Sequence, residues 1–379
     1  MGFSVYLHIP FCEVKCGYCD FFSVPRGFED FDLQKEYVDA LIREIHERSG
    51  EFSGRPVLSV FFGGGTPSLL APELLEKIFD ALARHFSWSP ETEITLETNP
   101  KTVSLEKLKA FRSLGVNRVS IGVQSFQDRF LKTLGRIHDG NDARRTVHDA
   151  REAGFANVSC DLIFALPGQT FADWENDLKT AIGLGTDHLS AYHLTIEANT
   201  PFETLHRQNR LALPSEDDGV RMLTWTREAL AAAGLPAYEI SNFARPGFEC
   251  VHNRNYWRYG EYAGFGTGAA GFLRSEGGGI RRHNVRNLKK YLDREILDFE
   301  DRIDRRTAMG EFCMLGLRTR EGIDVKGFVS AFGVPLDEAF PGELSRWKER
   351  GRLQASASGW LLTSEGLLFS DEVAASFLP

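Results

Sequence analysis

Along its first half, the chain alternates short apolar runs with longer stretches of helical period. Phe3 to Ile9, Val57 to Phe62, Glu93 to Glu97, Arg118 to Gly122, Val158 to Phe164 and His188 to Leu194 each read as a strand. The intervening segments Leu33 to Arg48, Pro72 to His85, Leu105 to Leu114, Asp128 to Leu134, Asp142 to Ala153 and Ala172 to Leu184 read as helices. Pro72 suits a first helical turn and Gly115 stops a helix. Near-continuous apolar strands separated by helices predict a parallel sheet covered by helices, here six β/α units. The expected fold class is therefore α/β: a partial (β/α)6 barrel with a smaller, mainly helical C-terminal domain.

The second half is less regular. Ser215 to Ala233 reads as a helix with Ser215 as N-cap, and Glu276-Gly277-Gly278-Gly279 as a flexible turn and a boundary. Asp298 to Arg306 reads as an exposed charged face. Short helices follow around Tyr291-Leu292, Met309 to Leu317 and Val325 to Phe332, with a strand pair from Leu353 to Leu362. That order resembles a winged helix. The expected divisions are 1–205 for the barrel, 206–285 for an extension, and 286–379 for the C-terminal domain.

In open barrels of this kind, functional groups gather at the carboxyl ends of the strands. The chain's unusual residues fall there. The six strands are followed by a cysteine-rich loop, by Gly63-Gly64-Gly65-Thr66-Pro67, by Glu97-Thr98-Asn99-Pro100, by Gln124-Ser125-Phe126, by Leu166-Pro167-Gly168, and by Thr195, with Asp161 and Tyr192 late in the fifth and sixth. Missing side chains in the glycine run let backbone N–H groups approach a ligand closely.

Composition bounds the function. The chain has 379 residues, is 42% hydrophobic and carries a net charge of −9, which argues against a general nucleic-acid or membrane-surface binder. It contains no run long enough to span a membrane and no secretory leader pattern. Six cysteines, three of them in one loop, do not make a disulfide framework, and free thiolates point to a reducing cytoplasm. Cys160 and Cys313 sit in apolar surroundings and read as small core residues.

Cys12, Cys16 and Cys19 are spaced C-x3-C-x2-C, offering three thiolates in one compact loop. A fully ligated four-iron cluster takes four cysteines, so three leave one iron open to a small molecule. Zinc would want a fourth ligand nearby, and His8, alternating with Tyr6, reads as a strand residue instead. This loop, with Tyr18 before its last cysteine, resembles that of radical S-adenosylmethionine (SAM) proteins. In that family the open iron binds SAM, and one electron cleaves it to a 5′-deoxyadenosyl radical. The resemblance implies a radical SAM barrel, a [4Fe-4S] cluster on Cys12, Cys16 and Cys19, and an electron donor to it. It also implies SAM contacts from Gly64, Gly65 and Thr66 to the amino group, from Glu97 to the ribose, and from Gln124, Arg136 and Asp161. Tyr6, Tyr18 and Thr195 match less distinctively. By this reading, Gly65→Val impairs SAM binding and spares the cluster.

YLHIPFCEVKCGYCDF, FFGGGTPS, SIGVQSF, LGRIHD, DLIFALPGQT and HNRNYW together resemble the coproporphyrinogen-dehydrogenase-like branch, and its heme chaperones most closely. The branch's decarboxylating enzyme has another cysteine where this chain has Phe21, and a longer segment before the loop. The resemblance implies heme as ligand and a recipient hemoprotein as partner, membrane-associated respiratory proteins included. It does not imply nucleic acid. Imidazole and thiolate are both axial ligands of heme iron, so His252 is the first candidate and Cys250 the second, with His283 and His193 weaker. Gly266-x-Gly268-x-x-Gly271 matches a dinucleotide pattern formally, without the surrounding βαβ unit. Two readings remain: a heme carrier, or a radical oxidoreductase acting on a tetrapyrrole such as coproporphyrinogen III.

Overall fold

The computed structural model describes residues 2–25 and 29–379. Strands β1 (Phe3–Ile9), β2 (Val57–Gly64), β3 (Glu93–Thr98), β4 (Arg118–Gln124), β5 (Asn157–Phe164) and β6 (His188–His193) lie side by side in chain order, all parallel. This is the six-unit open barrel expected. The strands are nearly all buried, because helices cover the outer face and side chains fill the inner one. The helix Pro72–His85 shows why the pattern was legible: Leu74, Leu75, Ile78 and Leu82 share one buried stripe. Side-chain caps fix several helix starts, with Ser104, Asp139, Thr170 and Ser215 each accepting from the first turn.

Five further strands widen the sheet to eleven. β7 (Asn242–Ala244) pairs antiparallel with β6. At the other edge β8 (Tyr262–Phe265) runs parallel to β1, and β9 (Ala270–Ser275), β10 (Gly278–Asn284) and β11 (Leu297–Ile303) continue antiparallel. The segment expected as a boundary at 276–279 is instead the β9–β10 hairpin, with Gly277 at φ 73°. The sheet thus crosses the division expected at residue 286, and we place the C-terminal layer after Ile303. The charged stretch 298–306 is largely the exposed edge strand β11, where charge blunts edge pairing.

Beyond β11, the helices Arg305–Leu317, Val325–Phe332 and Pro341–Glu349 and a three-stranded sheet enclose a second core of Phe312, Phe328, Phe332, Phe340, Trp347 and Phe377. Cys160 and Cys313 are both buried. Among the described residues, no helix is long and apolar enough to cross a membrane.

Candidate functional site

The cysteine loop leaves β1 at the carboxyl rim of the barrel and is pinned from three sides. Gly65 and Thr66 donate their N–H groups to the carbonyls of Ile9 and Phe11 at 2.8 and 2.7 Å. Gly17 donates to Leu134 and accepts from Phe202, and Cys19 N–H closes a turn onto the Cys16 carbonyl at 3.2 Å. The backbone is therefore set before any ligand arrives.

Cys12, Cys16 and Cys19 line one open cavity of about 530 Å³ with Tyr18, Gly64, Gly65, Thr66, Glu97, Gln124, Arg136, Asp161 and Thr195. The structure thus brings together nine of the ten residues assigned to SAM by resemblance. Tyr6 is the exception. It lies below, in a smaller chamber of about 180 Å³ that Glu97, Asp161 and His252 also line, with its hydroxyl 3.1 Å from His8 Nδ1.

A polar chain ties Cys12 to Cys16. Cys12 Sγ lies 3.6 Å from Thr66 Oγ1, Asn99 Nδ2 donates to Thr66 Oγ1 at 2.8 Å, and Arg136 donates to Asn99 Oδ1 and, at 2.7 Å, to the Gly122 carbonyl. The other end of that guanidinium reaches Cys16 Sγ at 3.6 Å. The resemblance gives Asn99 no role, although it stands directly after Glu97-Thr98 at a strand end. Outer-shell groups of this kind orient metal ligands.

The donor set fits an iron–sulfur cluster. Burial pushes the Cys12 thiol above its ordinary range and Cys19 up to about 11. Thiolates here thus need positive charge beyond Arg136, and a bound metal ion, which deprotonates a coordinating thiol outright, supplies it. His8 is not available as a further ligand. Its Nε2 is 2.8 Å from the Phe22 carbonyl, and burial lowers its pKa to about 4.

The rim also fits a cationic, zwitterionic ligand. Burial, then the neighbouring Asp161, raises Glu97 to about 8, and burial raises Asp161. Asp161 is held by Ser120 at 3.0 Å and Ser190 at 2.7 Å, two hydroxyls that sequence reasoning did not pick out. A nearby positive charge restores both carboxylates. Gln124 ends β4 at φ 65°, a left-handed position that directs the chain off the sheet at the rim. Gly64 has φ 109°, and a Cβ there would meet the His8 ring at 2.6 Å. At Gly65 a Cβ would meet the Phe11 carbonyl oxygen at 2.6 Å and Pro10 backbone at 2.8 Å. Gly65→Val therefore pushes on the segment leading into Cys12, and the expectation that it spares the cluster is corrected.

The HNRNYW segment lies at the opposite end of the barrel. It forms the helix Val251–Trp257, whose N-terminus is held by Glu93 at the start of β3. Glu93 accepts from Val251 and His252 N–H at 3.0 and 3.1 Å and from Cys250 Sγ at 3.4 Å. His252 is 1% exposed, with Nδ1 2.9 Å from Ser59 Oγ and Nε2 2.8 Å from the Tyr256 hydroxyl. Neither ring nitrogen is left for iron, and Cys250 is fully buried, so as folded both candidates plug the barrel floor. Of the weaker candidates, His193 lines the rim cavity and His283 stacks on exposed Phe299 with ring centroids 4.2 Å apart. Gly266 and Gly268 form the tight β8–β9 turn.

The chain is similar to known proteins over nearly its whole length. Residues 6–181 match the Radical SAM superfamily and residues 303–369 the HemN C-terminal domain. The heme chaperone HemW of Bacillus subtilis is 39% identical, with 99% of each chain covered. The heme chaperone HemW of Escherichia coli is 36% identical over 99% of this chain and 98% of its own. Among solved structures, coproporphyrinogen III oxidase (HemN) from Escherichia coli superposes with a TM-score of 0.84 at 25% identity, covering 99% of this chain and 90% of that one. With a three-cysteine rim, a glycine cradle and this likeness over its whole length, the chain belongs to the HemW family of radical SAM proteins.

Proposed function

We propose that this chain binds heme and passes it to hemoproteins, with its cluster and SAM site serving that delivery. The observation that carries the reading is the end-to-end likeness to proteins named heme chaperone HemW. Radical SAM membership implies a [4Fe-4S] cluster and SAM. When bound, the cluster supplies one electron and an open iron position. Cys12, Cys16 and Cys19 would hold it, Arg136 would offset its charge, and Glu97 and Asp161 would face the cation of SAM. A hemoprotein recipient and an electron donor are the partners this reading requires.

The alternative, oxidative decarboxylation of a tetrapyrrole, has less support. The position where the decarboxylating enzyme resembled above places a cysteine is Phe21, 66% exposed at the rim cavity. The test uses anaerobically reconstituted protein given hemin, SAM and reductant. We expect about one heme per chain, transferable to an apo-hemoprotein, and no change in added coproporphyrinogen III. Turnover of coproporphyrinogen III without stoichiometric heme binding overturns the proposal.

A further inference from the structure

The HNRNYW helix has a second face, away from the barrel floor, and there the molecule is open. Two abutting cavities, of about 390 and 330 Å³, run between this helix and the C-terminal helix Arg305–Leu317. Trp257, Met314 and Leu315 line both. The combined space is within the range of small-molecule sites, which are mostly apolar with a few placed polar groups.

Such polar groups are present, and two of their donor atoms are unpartnered. Trp257 Nε1 and Arg318 Nε are buried without a hydrogen-bond partner, whereas the Tyr259 hydroxyl, 3% exposed, pairs with Glu311. Buried donors ordinarily find partners, so two orphans along one cleft mark a place where a ligand supplies acceptors. The guanidinium of Arg318 lies 4.5 Å from the Trp257 ring, and Arg281 lines the far cavity. Each is already paired with a carboxylate, Glu239 and Glu311 respectively. Arginine at both ends of an aromatic and aliphatic slot suits a flat, apolar ring carrying carboxylates. Met314 adds a thioether, which is among the axial ligands of heme iron.

Resting on the heme-carrier reading above, we infer that the cleft between the helices Val251–Trp257 and Arg305–Leu317 is the heme site. It holds the macrocycle between Trp257 and Leu315, with Met314 facing the iron and Arg318 facing a propionate. The barrel rim keeps the cluster and SAM. His252 joins the two compartments from behind, through its hydrogen bond to Tyr256, which lines both the lower chamber and the cleft.

The test titrates hemin into full-length protein, following the Soret band and tryptophan quenching. Leu315→Trp narrows the slot at a half-buried position, and Met314→Leu removes the thioether at nearly constant volume. We expect affinity at least tenfold weaker in Leu315→Trp and a displaced Soret band in Met314→Leu, with cluster absorbance and SAM binding unchanged in both. Should Leu315→Trp fold poorly, Arg318→Lys, which keeps a cation beside buried Glu239, is to weaken hemin binding severalfold. Stoichiometric binding untouched by all three variants, or abolished by His283→Ala instead, overturns the cleft while leaving the heme reading standing. Absence of any binding by the unaltered protein overturns both.

Discussion

The two ends of the barrel use the same kinds of residue for opposite purposes. At the floor, Glu93, Cys250, His252, Ser59 and Tyr256 are joined into one buried network around a short helix. At the rim, Cys12, Cys16 and Cys19 face a cavity, and the nearest polar groups orient the thiols without using them up. Burial acts on both ends, raising the thiols of Cys250, Cys12 and Cys19 and lowering the imidazoles of His252 and His8. At the floor it is answered by internal hydrogen bonds, and at the rim by whatever charge binds. Cysteine or histidine in a motif thus signals a ligand only where the fold leaves its atoms unsatisfied.

Four perturbations test that contrast, from the largest effect down. Cys16→Ala is expected to abolish the visible iron–sulfur absorbance and iron content altogether, since two thiolates cannot retain the cluster. Retention of a normal spectrum would remove the rim assignment. Glu93→Ala acts at the floor. It uncaps the Val251–Trp257 helix and strips a carboxylate from beside buried Arg118, so urea unfolding should show a loss of about 3–5 kcal/mol. Folded Glu93→Ala protein should still take up iron, and a loss of cluster at full stability would break the comparison.

Asn99→Ala cuts the link between Thr66 and Arg136 without touching a thiol. We expect iron affinity about 10–100-fold weaker, the usual cost of an outer-shell change, read by competition with a chelator. The smallest effect is a pH slope. Burial, and then Arg118, holds His252 down to about 3 against an ordinary 6.5. Between those values the unfolded chain takes up a proton that the folded chain refuses, so stability is complete above pH 6.5 and falls as pH drops toward 3. His8, lowered to about 4 by burial, adds to the same loss. Urea midpoints at pH 7 and pH 5 should converge in His252→Gln, lessening the slope by about 1 kcal/mol per pH unit.

Much of this was legible in the order of residues. The helix Pro72–His85 and the strand Phe3–Ile9 have the bounds their apolar periodicity predicts, because each buries one face or both against a regular neighbour. The rim was legible too, since a parallel barrel sends every strand end to the same side and the cysteine, glycine and ETNP segments all follow strands. What the chain's order could not carry was which partner each group meets across long separations. Glu93 reaches Cys250 from 157 positions away, and Arg136 reaches Cys16 from 120. Glu276-Gly277-Gly278-Gly279 looks like a boundary locally and is a hairpin because β10 turns back to pair with β9, and β11 then extends the same sheet. His252 looked like a ligand until Ser59 and Tyr256 took both its nitrogens. Periodicity and turn chemistry act between near neighbours and are written in the chain. Whether a buried polar atom is satisfied depends on packing among distant segments, and only the folded molecule decides it.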